Sequence, residues 1–155
     1  MANKDMVGRT GPSFTMEIER GKIREFARAT GSKSPEYLDR EDAVIPPTFL
    51  TSVIFWQPAE AGELHKQVAI DPRRLLHGEQ EYLFTGAPPR AGARLHAQTT
   101  VEEIYDKEGK RGGAMTFVVM RTDFTDDDGV VVAQARSTAI ETGRPPSAPE
   151  PPQGD

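Results

Sequence analysis

Residues 45–56 read Ile-Pro-Pro-Thr-Phe-Leu-Thr-Ser-Val-Ile-Phe-Trp, the longest mostly apolar run of the chain, and none of them is charged. On a helix, the apolar side chains of this run cover most of the circumference rather than one stripe. Such a helix has to be covered by other structure. Two prolines fit at its first turn, where a missing N–H costs little, and Pro58 ends the run. We therefore predict a buried central helix over about 46–57.

Residues 76–141 are expected to supply the cover, because they carry strand patterns and almost no helical pattern. Strands are predicted over 78–84, 93–105, 114–124 and 130–140. The third strand is rich in β-branched and aromatic residues, and Asp128-Gly129 marks the hairpin that follows it. These features predict an antiparallel sheet.

The segments on either side of the central run differ in pattern. Ile23, Phe26 and Ala27 would share one face of a helix over 19–30, and a short helix is predicted at 34–38. The N-terminal residues 1–5 are expected to be loose. Residues 59–74 are polar and are expected to form an irregular connection. Short helices, one apolar helix and an antiparallel meander predict an α+β fold.

Composition narrows the class of protein. The 155 residues carry a net charge of −5, which argues against nucleic acid binding, and contain no cysteine for disulfides or thiolate sites. No apolar run reaches the ~18 residues of a membrane span, and the N-terminus lacks a signal-peptide core. We expect a cytoplasmic protein with one domain over 7–143 and a disordered, Pro-rich tail over 144–155. No two histidines have ligand spacing, so neither a metal nor a cofactor is predicted.

Residues 26–43 read Phe-Ala-Arg-Ala-Thr-Gly-Ser-Lys-Ser-Pro-Glu-Tyr-Leu-Asp-Arg-Glu-Asp-Ala. This motif resembles the signature of the MaoC-like (R)-specific enoyl-CoA hydratases and 3-hydroxyacyl dehydratases, in which an aromatic residue precedes Gly-Asp-x-Asn-Pro-x-His. Residues 46–49, 76–82 and 89–95 also resemble that family, in its N-terminal, dyad-lacking type of domain. The resemblance covers about 7–143 and implies the hot-dog fold, in which a curved antiparallel sheet wraps a central helix. The positions that match in register are Phe26, Thr30, Gly31, Pro35 and Ala43.

Two positions depart from the family motif: its catalytic Asp falls on Ser32, and its catalytic His falls on Tyr37. Adding water to a conjugated thioester needs a base for the water and an acid for the carbon alpha to the carbonyl. An Asp/His pair around one water can do both. Ser32 is not a useful base without a partner, and a tyrosine titrates near ~10. We interpret 32–37 as a retained fold feature without catalysis; Tyr37 as an acid in altered chemistry is the alternative.

Other candidate site residues lie outside this motif. His77 and Glu79 flank Gly78 in a predicted strand, so alternation predicts that both point to one face. They are either a replacement acid–base pair or, as we favour, polar residues at the rim of the sheet. The candidate substrate-binding residues, by resemblance, are Pro47, Thr48, Phe49, His77 and Gly78. The cations that could meet CoA phosphates, or be plain surface charge, are Arg73, Arg74, Lys107, Lys110 and Arg111.

Related hydratases are often built from two hot-dog halves, of which one carries the dyad and the other shapes the acyl tunnel. The resemblance therefore implies the tunnel subunit of a hydratase/dehydratase for 2-enoyl and (3R)-3-hydroxyacyl thioesters of CoA or acyl-carrier protein. Its partner would be a dyad-bearing MaoC-like chain or a second copy. The alternatives are a self-sufficient hot-dog thioesterase and a non-enzymatic acyl-thioester binding module. Hot-dog thioesterases commonly carry an acidic residue on or beside the central helix, and residues 48–57 contain none.

Overall fold

Five antiparallel strands form one sheet in the order β1-β3-β4-β5-β2 in the computed structural model, which describes residues 2–109 and 113–143. The strands are β1 (Phe14–Glu17), β2 (Leu75–Phe84), β3 (Arg94–Glu108), β4 (Ala114–Thr125) and β5 (Val131–Thr142). The four long strands confirm the predicted antiparallel sheet, although β2 begins three residues earlier than expected. Strands β3, β4 and β5 form a meander, but β2 pairs with β5 instead of with β3, so the meander prediction is wrong for β2. The predicted tail over 144–155 lies outside the described residues, as do Lys110 and Arg111.

Three α-helices connect these strands: α1 (Arg20–Ala29), α2 (Pro35–Leu38) and α3 (Gly62–Val68). The first two confirm the helices predicted over 19–30 and 34–38, and Ile23 and Ala27 of α1 are fully buried. The third lies where an irregular connection was expected, so that prediction is wrong. Leu64 and Val68 stand four residues apart and are buried, which gives this otherwise polar segment an apolar stripe that holds it on the sheet.

The apolar run itself forms a 3-10 helix, Phe49–Phe55, which we call the central helix. Phe49 and Leu50 are 0% exposed and Val53 is 9% exposed, whereas Ile54 is 61% and Phe55 75% exposed. The prediction of a helix covered all round is therefore wrong for the single chain. One side of the helix packs on the sheet, and the other side is open.

Two apolar clusters lie between the helices and one face of the sheet. We call this face the inner face and the opposite one the outer face. The first cluster joins the central helix and α1 to Leu95, Ala97 and Phe124. The second joins α3 and the N-terminus to Val101, Val118 and Met120.

The N-terminal segment belongs to the second cluster, so the expectation that it is loose is wrong. Ala2 is 7% exposed, and the backbone N–H of Asn3 donates to the Val68 carbonyl at 2.8 Å. Lys4 Nζ donates to Asp106 Oδ2 at 2.6 Å. These contacts tie the segment to both α3 and β3. In the described parts of the chain, no helix combines the length and the apolar character that crossing a bilayer requires.

Candidate functional site

Ser32 is part of the turn that joins α1 to α2. Gly31 ends α1 with a φ of +74°, a left-handed conformation that glycine adopts at low cost. The Ser32 backbone N–H then donates to the Ala27 carbonyl at 2.8 Å, and its Oγ accepts from the Ser34 N–H at 3.3 Å. Its hydroxyl therefore stabilises a local turn, as the non-catalytic interpretation expects.

Tyr37 lies on α2, half-buried against the first apolar cluster. Phe26, the aromatic residue of the motif, packs against the same cluster and meets Phe49 edge-on, with ring centroids 5.5 Å apart. Within residues 2–109 and 113–143, no carboxylate or imidazole hydrogen-bonds to Ser32 or Tyr37. Ser32 and Tyr37, which the resemblance assigns to the dyad positions, thus make turn and packing contacts.

A β-bulge at Gly78 separates the second pair of candidates. His77 pairs with Ala139 and Glu79 with Thr138, two consecutive residues of β5. Because residues paired across strands share a face, His77 points to the inner face and Glu79 to the outer face. The prediction that both share one face is wrong, since the extra residue of a bulge shifts the alternation. These two side chains do not form an acid–base pair here.

The candidate substrate-binding residues lie on two elements. Pro47 and Thr48 are exposed just before the central helix, and His77 and Gly78 are exposed on β2. Phe49 is 0% exposed, so in the single chain its side chain serves the core. Contact between these residues and a substrate stays a prediction.

Two clefts meet on the inner face. One, of about 140 Å³, lies between the central helix and the sheet, and the other, of about 370 Å³, lies beneath α3. His65, Met120 and Ser137 line both, so we treat them as one inner-face channel. Other walls of this channel are Leu50, Val53, Tyr82, Val68, Leu75 and Val118.

The part of the channel beneath α3 is mostly apolar, whereas the part beside the central helix is lined by polar and apolar side chains in similar numbers. Thr99 Oγ1 and Thr122 Oγ1 lie 2.8 Å apart and satisfy one another. None of the described residues that line the two clefts carries a carboxylate. His65, in the segment expected to form an irregular connection, lies exposed on α3 at the point where the clefts meet. This site can hold an apolar chain, but it offers no Asp/His pair for hydration.

Sequence reasoning missed the channel because its walls come from six separate elements: the central helix, α3 and four strands. The available signal was the alternation along β4, which places Val118, Met120 and Thr122 on the face of the buried Phe124. That signal identifies inner-face residues, but it does not tell which of them border a void.

The arginines considered for CoA phosphates have partners within the chain. Arg73 Nη2 lies 2.9 Å from Asp71 Oδ2, and hydrogen bonds from Arg73 hold the pKa of Asp71 well below its usual range. Arg74 contacts Asp71 and the fully buried Glu141. Lys107 Nζ lies 5.0 Å from the centroid of the Tyr105 ring. These cations are therefore engaged in structural contacts.

The acidic residues 126–128 form the turn of the β4–β5 hairpin, and two of them accept hydrogen bonds there. Asp126 Oδ1 accepts from the N–H groups of Asp128 and Val130 at 3.0 and 2.9 Å. Asp127 Oδ1 lies 3.0 Å from both Arg94 Nε and His96 Nε2. Across the described residues, no three His, Cys, Asp or Glu side chains are grouped to hold a metal ion.

Known proteins resemble this chain in sequence and in fold. The sequence profile of the family described as FAS1-like, dehydratase domain region, matches residues 5–135. A UPF0336 protein of Streptomyces griseus is 35% identical over 149 residues, which cover 89% of this chain and 93% of that relative.

Two solved structures show the fold. The C-terminally truncated HadBC (3R-hydroxyacyl-ACP dehydratase) complex of Mycobacterium tuberculosis matches with a TM-score of 0.70 at 24% identity, covering 88% of this chain and 97% of the matched chain. The ChsH1-ChsH2 complex of the same organism matches with a TM-score of 0.64 at 13% identity, covering 91% and 88%. These likenesses confirm the predicted α+β hot-dog fold.

Proposed function

This chain belongs to the family of FAS1-like dehydratase domains, and from that membership we propose that it is the acyl-tunnel half of a hydratase/dehydratase. Its substrates would be 2-enoyl and (3R)-3-hydroxyacyl thioesters of CoA or acyl-carrier protein. The observation that carries the proposal is the inner-face channel, whose apolar walls suit an acyl chain and whose lining lacks a carboxylate.

The catalytic groups would come from a second, dyad-bearing MaoC-like chain. Ser32 accepts a hydrogen bond within a turn and Tyr37 packs against the first apolar cluster, and these contacts support a non-catalytic role for both. A positioned acid or base typically contributes about 10²–10⁴-fold to a rate. A chain without either group therefore needs a partner to reach an enzymatic rate.

Exposed apolar surface supports such a partner. Ile54 and Phe55 leave one side of the central helix uncovered, and Leu76 and Leu83 on β2 are 49% and 54% exposed. Ile54 and Phe55 are adjacent, and contiguous apolar side chains on a surface mark interaction sites more often than isolated ones do. The solved structures of similar fold named above are described as complexes, HadBC and ChsH1-ChsH2.

The test introduces a tryptophan at either of two adjacent residues of β5, of which only one faces the channel. Ser137 faces the channel, whereas Thr138 pairs with Glu79 and faces outward. We expect Ser137→Trp to abolish binding of a long-chain enoyl-CoA, measured by calorimetry, and Thr138→Trp to leave it unchanged. Equal effects of the two substitutions would contradict the channel as the acyl site. Release of free thiol by the wild-type chain would instead support the thioesterase alternative.

A further inference from the structure

We infer that Glu79 and Glu81, on the outer face of the edge strand β2, select the charge of the chain that pairs with this strand. They favour a strand with basic side chains and reject a second copy of this chain. The inference rests on the proposed function, because it specifies the partner in that assembly.

The free edge of β2 is the first observation. In the described structure β2 is ten residues long, stands last in the sheet and pairs with β5 alone. A long unpaired edge is a template for another strand. The opposite edge, β1, has four residues and offers far less backbone. Strand β2 contains no proline, lysine or arginine, three residue types that commonly protect sheet edges.

Apolar side chains border this edge on both faces of the sheet. Leu76 and Leu83 flank the glutamates on the outer face. On the inner side, Ile54 lines the same cleft as Gln80 and Tyr82 of β2 and is 61% exposed. A strand added to β2 would reduce the exposure of these groups, which favours association.

The outer side of this edge carries an excess of negative charge. Glu79, Glu81 and Glu103 line one depression, in which Arg136 is the single described cation. Arg136 lies 3.5 Å from Glu81 but is shared with Glu102, at 2.7 Å. Glu79 has no ion pair within the described residues. A basic partner strand would complement this charge.

Symmetry explains why a second copy is a poor partner. Two copies of β2 would pair antiparallel about a two-fold axis, with outer-face residues opposite outer-face residues. An axis at Gln80 places Glu79 opposite the Glu81 of the second copy. An axis at Glu79 or at Glu81 places that residue opposite itself. Like charges directly opposite destabilise a strand pair, so each register through the middle of β2 is penalised.

The experiment mixes isotope-labelled wild type with the charge-reversed variant Glu79→Lys/Glu81→Lys and measures dimers by native mass spectrometry. Each protein alone repels itself, whereas the mixture pairs glutamate with lysine. We expect the mixed dimer to be about tenfold tighter than either homodimer and to weaken in high salt. The control is Glu17→Lys/Glu108→Lys, which has the same net charge but is changed on β1 and β3; it should show no preference for wild type.

The neutral variant Glu79→Gln/Glu81→Gln keeps the test decisive if the reversed variant folds poorly, because it should self-associate more strongly than wild type. A wild-type homodimer as tight as the mixed dimer would overturn the inference. The inference would also be overturned if neither the mixture nor the glutamine variant associates more strongly than wild type alone. Enoyl-CoA binding is read separately: mixed dimers without acyl binding would refute the proposed function and leave the edge inference intact.

Discussion

By resemblance, Ser32 and Tyr37 stand at the positions of the MaoC-like acid–base pair, and we expect the turn around them to accommodate an Asp at position 32. An Asp at position 32 can accept the Ser34 N–H as the serine does, since both side chains form such turns. A His at position 37 gives up part of a core contact. The double change is therefore testable in a folded protein.

We predict that Ser32→Asp combined with Tyr37→His produces hydration of crotonyl-CoA, far below the rate of natural enzymes because the supporting residues are missing. Each single change should give much less, since the two groups act as a unit. The assay compares the four proteins at matched folded fraction. A single variant as active as the double variant would contradict the paired role.

Arg74 and Glu141 form a buried ion pair at the start of β2, where Arg74 is 19% and Glu141 0% exposed. Removing one member of such a pair leaves a buried charge, which typically costs about 3–5 kcal/mol. We predict that Arg74→Ala lowers the free energy of unfolding by about that amount in urea denaturation. Its neighbour Arg73, 84% exposed, is the control; Arg73→Ala should change the value by at most about 1 kcal/mol. Equal losses of unfolding free energy in the Arg74→Ala and Arg73→Ala variants would contradict the role of the buried ion pair.

At the scale of elements, the β4–β5 hairpin is fastened to β3 through Asp127. Hydrogen bonds from Arg94 and His96 hold the pKa of Asp127 below its ordinary value. Because the folded pKa is the lower one, this contact stabilises the protein above the unfolded value of ~3.9. The contribution is lost as pH falls through the folded pKa.

We therefore predict that Asp127→Asn lowers stability at pH 7 and reduces the further loss on acidification below about pH 4. Urea midpoints across this range measure both effects. Asp128→Asn, an exposed neighbour on the same loop, should leave the pH profile unchanged. An Asp127→Asn profile parallel to that of wild type would contradict the role of the carboxylate.

Local patterns predicted the elements that carry many apolar residues. The spacing of Ile23, Phe26 and Ala27 sufficed for α1, and the alternation of β4 sufficed for a strand. Helix α3 was missed because only Leu64 and Val68 mark its buried side. The faces of His77 and Glu79 were predicted wrongly because the bulge depends on how β2 pairs with β5, residues far apart in sequence.

At the scale of the whole molecule, the apolar central run was read as a helix buried within one chain. Ile54 and Phe55 remain exposed, which a sequence cannot reveal, because the same apolar residues suit a core or an interface. The fold was predictable because the motif and the strand pattern agreed. The channel was not, since a void depends on the volumes of side chains from several elements.

We predict that the isolated chain hydrates crotonyl-CoA at least about 10²-fold more slowly than a dyad-bearing relative. Adding a dyad-bearing MaoC-like chain that is found to co-purify with it should restore the rate on long-chain substrates. A spectrophotometric assay of the 2-enoyl thioester follows both reactions. Comparable turnover by the isolated chain would reject the tunnel-subunit proposal. It would favour Tyr37 or His77 as an acid–base group of this chain.

The buried position of Ala2 has a practical consequence for producing the protein. The backbone of Asn3 is hydrogen-bonded to that of Val68, and Ala2 and Met6 belong to the second apolar cluster. A purification tag fused to the N-terminus would therefore begin next to packed structure. Gly143, by contrast, is exposed at the end of β5. Tags, fluorophores and surface anchors are therefore better attached on the C-terminal side. If an N-terminal fusion lowers the yield or the melting temperature, we attribute the loss to disturbed packing around Ala2.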